Sequence, residues 1–406
     1  MQCGLLGRKL GHSYSPQIHA KLGSYDYALF EKEPEELESF LHSGAFTGLN
    51  VTIPYKKAVI PFLDALSPRA QALGAVNTIV RRPDGTLIGH NTDFFGFQTT
   101  LASSGISVSG KKALICGSGG ASNTACAVLR EAGAQVVVIS RSGENNYHNL
   151  FKNADAALIV NATPLGMYPN VDDSPIDDLT QFPKLEGVLD LVYNPARTAL
   201  LLKAEALGLP AVNGLQMLVA QAKESAEWFT GCSIDDSVSA PIYASLRGQM
   251  ENIILVGMPG CGKTTIGTLL AKTLNRPFVD ADVALEQTCG RPITSIIPED
   301  GEAAFRNMES QVLHDLGKQS GQIIATGGGC VTRPENYQNL HRNGRIFWLR
   351  RDTSLLPTAG RPLSHPGKLE EMLAVRAPLY RRFADCIVDN DQSPQHTVER
   401  ILEEYK

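Results

Sequence analysis

The sequence predicts an α/β protein in which two nucleotide-binding units stand behind a smaller α/β domain. Three observations carry this. The chain has 406 residues, enough for two or three domains at roughly 150 residues each. A short apolar run enters a glycine-rich turn twice: Lys112-Ala-Leu-Ile-Cys116 into Gly117-Ser-Gly-Gly120, and Asn252-Ile-Ile-Leu-Val256 into Gly257. Each turn precedes a helix-patterned segment, Asn123 to Ala132 and Thr264 to Leu274. Strand, glycine turn and helix open a nucleotide-binding βαβ unit, so two of them imply two nucleotide sites.

The elements follow in order. Up to about Gly96, β-like runs (Asn50 to Ile53, Asn77 to Arg81) mix with a helical stretch from Glu35 to His42, which reads as a small α/β domain over 1–96. A dinucleotide-type domain is expected over 97–210. Helical patterns from Leu215 to Thr230 and from Ser237 to Leu246 are expected to return over the first domain, as 211–246. The short polar stretch Arg247-Gly-Gln-Met-Glu251 reads as a linker, 247–251, and the second nucleotide-binding domain occupies 252–406.

Composition narrows the function classes. The net charge of −5 argues against a nucleic-acid partner. The eight cysteines form no Cys-x-x-Cys pair and read as thiols in a reducing compartment. The start, Met1-Gln-Cys-Gly-Leu-Leu-Gly-Arg8, lacks the signal-peptide pattern. No apolar run approaches the ~18 residues that span a bilayer. The expectation is a cytoplasmic protein with small-molecule substrates and no membrane partner.

Gly257-Met-Pro-Gly260-Cys261-Gly262-Lys263-Thr264 matches G-x-x-x-x-G-K-[ST] in full. Such a loop turns backbone N–H groups toward ATP phosphates, with Thr265 following. Lys263 can reach the β- and γ-phosphates, and Thr264 can ligate Mg²⁺. The next strand ends in Asp280-Ala-Asp282. One carboxylate there suits the Mg²⁺ shell and the other an acceptor hydroxyl, though a solvated acidic strand end has the same sequence. Gly301-Glu-x-x-Phe305-Arg306, Gly327-Gly328-Gly329, Gly360-Arg361-Pro-Leu363 and Arg376-Ala-Pro-Leu-Tyr380 follow. Separated arginines and a glycine loop suit a small carboxylate-bearing substrate, because the guanidinium forks a carboxylate.

These motifs resemble shikimate kinase over residues 251–406, which implies a P-loop NTPase-type three-layer α/β/α domain. By the resemblance, Asp282 is the base at the acceptor hydroxyl. Arg306, Arg376 and Gly328 bind shikimate. Arg361 is the lid arginine that closes over ATP, and Asp280 joins Thr264 at Mg²⁺. Family members often carry another lid arginine ahead of this one. Here the approach reads Asp352-Thr-Ser-Leu-Leu-Pro-Thr-Ala-Gly360.

In the N-terminal part, His12-Ser13-Tyr14-Ser15-Pro16 spaces two hydroxyls two residues apart. An extended backbone would point both at one carboxylate, and a Ser-Pro turn is the alternative. Asn50 and Thr52 alternate with Val51 and Ile53, so on a strand they share a face, and Lys56 sits just past its end. Gly74-Ala-Val-Asn77-Thr78 and Gly89-His-Asn91-Thr-Asp93-Phe-Phe-Gly96 follow. An aspartate beside a lysine would hold its ammonium ready to donate a proton. In Gly117-Ser118-Gly119-Gly120-Ala121-Ser122, serine stands where a third glycine is usual. The run Ala134 to Ser140 ends in Ser140-Arg141-Ser142 with no acid to take a ribose 2′-OH, so the pattern favours NADP.

These pieces resemble shikimate dehydrogenase over residues 1–246, with Asn161-Ala-Thr-Pro-Leu-Gly-Met167, Asp190-Leu-Val-Tyr193-Asn-Pro195 and Asn213-Gly214-Leu-Gln-Met217-Leu-Val-Ala-Gln221. The resemblance implies a substrate domain followed by a Rossmann-like NADP domain. Ser13, Ser15, Thr52, Asn77, Tyr193 and Gln221 would meet the substrate, and Lys56 and Asp93 would be the catalytic pair. Gly117, Ser118, Gly119, Gly120, Ala121, Arg141, Leu191 and Gly214 would line the NADP(H) site. The family's usual Asn-Arg-Thr with a second arginine is here Ser140-Arg141-Ser142-Gly-Glu-Asn145. The combined expectation is a fusion that reduces 3-dehydroshikimate with NADPH and phosphorylates shikimate with ATP and Mg²⁺. Two other readings stay open: a catalytically silent dehydrogenase-like module on a kinase, and an NAD-using quinate/shikimate dehydrogenase half.

Overall fold

Three sheets organise the described residues, 1–11, 13–356 and 366–405 of the computed structural model. The first is six-stranded: β1 (Gln2–Gly7), β2 (Asp26–Glu31), β3 (Gly48–Val51), β4 (Ala65–Leu66), β5 (Thr78–Arg81) and β6 (Leu87–His90), in the order β2-β1-β3-β5-β6-β4. β1 lies parallel to β2 and β3, while β3 and β5 run antiparallel with Asn50 opposite Thr78. Leu6, Leu49, Val51 and Ile79 bury against Phe40 and Phe46. Burial of that apolar set fixes the register, because a one-residue slip would turn it outward.

The second sheet is parallel: β7 (Lys112–Cys116), β8 (Gln135–Ile139), β9 (Leu158–Asn161), β10 (Gly187–Asp190) and β11 (Ala211–Val212), in the order β11-β10-β9-β7-β8. The order reverses between β7 and β9, which opens a crevice at their carboxyl ends. The third is also parallel: β12 (Asn252–Val256), β13 (Phe278–Asp280), β14 (Ile323–Ala325), β15 (Gly344–Arg350) and β16 (Cys386–Asp389), in the order β13-β14-β12-β15-β16. Every residue of β12 is buried, as the central strand of a sheet covered on both faces must be. The α/β expectation with parallel nucleotide-binding sheets therefore holds.

The chain divides into two units. Met1–Met167, Asp172–Tyr193 and Thr198–Ser245 form one, and Tyr168–Val171, Asn194–Arg197 and Leu246–Lys406 form the other. Regular structure runs across several of the expected boundaries. The helix Asp93–Ser103 runs through the expected break at residue 96, because Phe94, Phe97 and Leu101 anchor it in the core under the second sheet. Gly96 is required there: a Cβ would meet the Met217 carbonyl at 2.7 Å, where the helix Leu215–Thr230 crosses. Ala211 and Val212 pair with β10, and the returning helix starts at Leu215, where its pattern was expected. The expected linker at 247–251 is instead largely the last turn of the helix Ser239–Met250, held by burial of Met250 and Glu251.

Candidate active sites

In the first unit, residues from both sheets converge on a cavity of about 320 Å³. Lys56 lies just past β3, where its carbonyl accepts the Val76 N–H at 2.7 Å. Asp93 opens the helix Asp93–Ser103, whose positive end favours a carboxylate. The Lys56 ammonium and Asp93 Oδ2 are 2.6 Å apart, with side chains 26% and 12% exposed. The pair is thus shielded yet reachable from the cavity that both residues line.

Asn77 donates to Thr92 Oγ1 at 3.0 Å and accepts the Thr92 N–H at 2.7 Å, and Gln221 Oε1 lies 3.5 Å from its amide nitrogen. Thr52, Ser13 and Ser15 complete a polar wall. The serines reach it differently from the extended reading. Ser15 begins the helix Ser15–Leu22, with Pro16 in its first turn, and its N–H donates to Ser13 Oγ at 3.2 Å. Behind this wall lies a buried network that the sequence reading missed. Asn50 Nδ2 donates to Ser225 Oγ at 2.8 Å, and the Tyr27 hydroxyl donates to Asn50 Oδ1 at 2.8 Å. Ser225 also lies 2.9 Å from Thr78 Oγ1 and 3.0 Å from Thr92 Oγ1. Fully satisfied networks of this kind make the wall rigid.

The other side of the cavity belongs to the second sheet. Gly117 has φ +109°, and a Cβ there would press on the Ala162 carbonyl at 3.0 Å. Ser122, at the place of the third glycine, closes the turn by donating to the Gly117 carbonyl at 2.7 Å. Gly119 and Gly120 face open space at the start of the helix Gly120–Glu131. That cradle suits a pyrophosphate at a helix N-terminus. Ser118 is exposed within the turn, and Arg141, also exposed, follows β8, whose Ile139 pairs with Cys116 beside it. A Cβ on Gly214 would stand 2.1 Å from the Leu191 carbonyl, so only glycine lets this backbone approach the floor of the site. Leu191, Tyr193 and Ala121 line the same cavity, and Tyr14 meets the Tyr193 ring edge-on at 6.4 Å. Asp190 is buried beneath. It accepts from Asn161, the Val192 N–H and Thr198, at 2.9, 3.0 and 2.7 Å, which ties three chain segments together. Burial lifts its carboxyl to about 6, against the lowering by those donors.

The second unit holds a cavity of about 750 Å³ around the loop that follows β12. Gly257, Gly260 and Gly262 have φ of +148°, +82° and +100°, where side chains are strained. Lys263 is buried and donates to the carbonyls of Gly257 and Met258 at 2.9 and 3.0 Å. Asn390 clamps the loop by donating to the Cys261 carbonyl at 2.6 Å. Thr265 and Thr264 line the cavity, and the Thr264 hydroxyl donates to Asp280 Oδ2 at 2.9 Å. These hydroxyl and carboxylate oxygens are the hard donors that suit Mg²⁺.

Asp282 lines the same cavity, and its N–H caps on Asp280 Oδ1 at 3.1 Å. Burial, then the charges of Asp280 and Glu309, push its carboxyl up to about 6. Arg306 pairs with the buried Glu309 at 2.8 Å, and its guanidinium packs on Gly329, where a Cβ would lie 2.3 Å from a guanidinium nitrogen. Arg376 donates to the Gly328 carbonyl at 3.2 Å, and Tyr380, one turn on, donates to the same oxygen. Gly328 lines the cavity itself, whereas Arg306 and Arg376 stand one step behind its wall, drawn there by Glu309 and the Gly328 carbonyl. Arg351, Leu355 and Thr326 are lining residues that the sequence reading did not single out. Arg361 lies outside the described residues.

A family model of shikimate kinase matches residues 259–406, and one of the shikimate dehydrogenase substrate binding domain matches residues 5–79. The chain is 36% identical over 267 residues to a shikimate dehydrogenase (NADP(+)) of Clostridium perfringens, covering 60% of this chain and 97% of that one. It is similar to the crystal structure of a chorismate mutase/shikimate 5-dehydrogenase fusion protein from Clostridium acetobutylicum, with a TM-score of 0.57 and 35% identity over 60% of this chain and 96% of that chain. It is also similar to shikimate 5-dehydrogenase from Thermus thermophilus in complex with NADP(H) and shikimate, with a TM-score of 0.55 and 34% identity over 60% of this chain and 99% of that chain.

Proposed function

We infer both reactions from one premise: the chain belongs to the shikimate dehydrogenase family through its N-terminal part and carries a shikimate kinase domain after it. It is a bifunctional shikimate-pathway enzyme, an NADP-dependent shikimate dehydrogenase joined to a shikimate kinase. The observation that carries this reading is the 2.6 Å contact of Lys56 with Asp93 inside the first cavity. A nucleotide-binding fold alone hosts many functions, whereas a shielded ammonium held by a carboxylate is a proton donor set in position.

In the first reaction NADPH supplies the hydride to the ketone carbon of 3-dehydroshikimate. Lys56 donates a proton to the forming alkoxide oxygen, and Asp93 keeps the ammonium aimed. Ser13 and Ser15 hold the substrate carboxylate. Thr52, Asn77 and Gln221 take its hydroxyls, while Tyr193 and Leu191 close the nicotinamide side. The open amides of Gly119 and Gly120 receive the pyrophosphate, and Arg141 takes the 2′-phosphate.

In the second reaction Asp282 accepts the proton of the attacking shikimate hydroxyl. Lys263 exchanges its loop carbonyls for phosphate oxygens, and Arg306 and Arg376 reach round their glycines to the carboxylate. Thr264 and Asp280 would hold Mg²⁺, which neutralises charge on the transferring phosphoryl group. By the resemblance to shikimate kinase, Arg361 would add a further cation at ATP. The eight free cysteines fit a reducing, cytoplasmic setting.

Absorbance at 340 nm with shikimate and NADP⁺ tests the first half. A rise with NADP⁺ that exceeds the rise with NAD⁺ is expected. No rise with either cofactor would leave a silent binding module, and an NAD⁺ preference would indicate the quinate/shikimate type of enzyme.

A further inference from the structure

Arg351 is the unexplained cation of the second site. It follows β15, and its backbone is pinned on both sides. Asn390 N–H donates to the Arg350 carbonyl at 2.8 Å, and Asp352 N–H donates to Asp391 Oδ1 at 2.9 Å. Neighbouring side chains on a strand point opposite ways. Arg350 turns outward and pairs with Asp389 at 2.8 Å, so Arg351 turns inward and lines the cavity. One of its terminal guanidinium nitrogens lies 3.8 Å from where a methyl on Gly262 would stand. Its Nε is buried without a hydrogen-bond partner, and no acid pairs with it among the described residues.

A guanidinium nitrogen buried without a partner is costly, and the half-buried Arg351 turns its other nitrogens toward the cavity, where an anion can complete them. The surface beside Arg351 is a glycine loop, whose inward N–H groups select phosphate oxygens. The loop's own cation, Lys263, is held by the Gly257 and Met258 carbonyls. On the kinase reading above, we propose that Arg351 binds the polyphosphate of the nucleotide in this cavity. A planar guanidinium at the loop edge can fork two phosphate oxygens, which a lysine there could not.

The test uses the full-length protein, with R351A and R351K. Phosphorylation of shikimate by the unaltered protein is measured first, and its absence would sink the kinase reading itself before any variant is compared. R351A is expected to raise the KM for ATP about tenfold or more, the scale of one lost charge-assisted hydrogen bond. The KM for shikimate should stay within about twofold on the same grounds. By calorimetry, R351A should weaken MgADP but leave adenosine unchanged. R351K keeps the charge and should fall between the two. An unchanged KM for ATP would overturn the proposal. So would an equal rise in both KM values, equal weakening of adenosine and ADP, or R351K as impaired as R351A.

Discussion

At the second site, burial first, then the charges of Asp280 and Glu309, hold the Asp282 carboxyl at about 6. A base must be deprotonated to work. From that value Asp282 is charged in roughly 9% of molecules at pH 5, about half at pH 6 and roughly 91% at pH 7. The kcat/KM for phosphorylation should therefore fall about tenfold from pH 7 to pH 5. Replacing Asp282 with Asn should lower the rate at pH 7 by roughly 10²–10⁴-fold and abolish this acid limb. Phosphorus NMR of the product measures the rate without coupling enzymes that have their own pH limits. The dehydrogenase rate of each sample guards against global unfolding, since Asp282 belongs to the other unit. A flat profile between pH 5 and pH 7, or a D282N enzyme retaining a tenth of the rate, would refute the assignment of Asp282 as base.

Three further outcomes follow from the same geometry. Lys56→Ala should reduce dehydrogenation by at least about 10²-fold and leave phosphorylation near normal, while Lys263→Ala should do the reverse; full reductase rate in the first would remove Lys56 from the chemistry. Gly214→Ala drives a methyl to 2.1 Å from the Leu191 carbonyl, so it should raise the KM for NADP⁺ more than that for shikimate, and unchanged kinetics would mean the backbone yields freely. Asp190, raised to about 6 in the fold, binds its proton more tightly folded than unfolded. Its contribution to stability is thus full below about pH 4 and lost as pH rises through about 6. Chemical denaturation of wild type and D190N across that window should show the wild-type value falling relative to the variant, and parallel curves would contradict the burial argument.

Much of this was legible in the residues. The strands Lys112–Cys116 and Asn252–Val256 read correctly to the residue because an apolar run that stops at a glycine turn has few other folds. Lys56, Asp93, Asn77 and Gln221 were nameable singly, yet their meeting depends on the antiparallel β3–β5 register and on the returning helix. Pro16 signalled a break from extended chain at Ser15, in line with the Ser-Pro turn weighed against the extended backbone, and the break is a helix start. Ser225 carried no local signal, because a hydroxyl one turn past Gln221 matters only once Asn50 and Thr78 are paired across strands. Arg350 and Arg351 look alike in sequence, and only the phase of β15 decides which faces the nucleotide loop. Polar composition misled at residues 247–250, where burial of Met250 carries the helix onward.

One chain should catalyse two successive steps at two separate sites. Purified protein supplied with 3-dehydroshikimate, NADPH and MgATP tests it most directly. Absorbance at 340 nm should fall while shikimate phosphate forms, with one NADPH oxidised and one phosphoryl group transferred per 3-dehydroshikimate consumed. No fall at 340 nm, or a fall with unphosphorylated shikimate accumulating to the end, would contradict it.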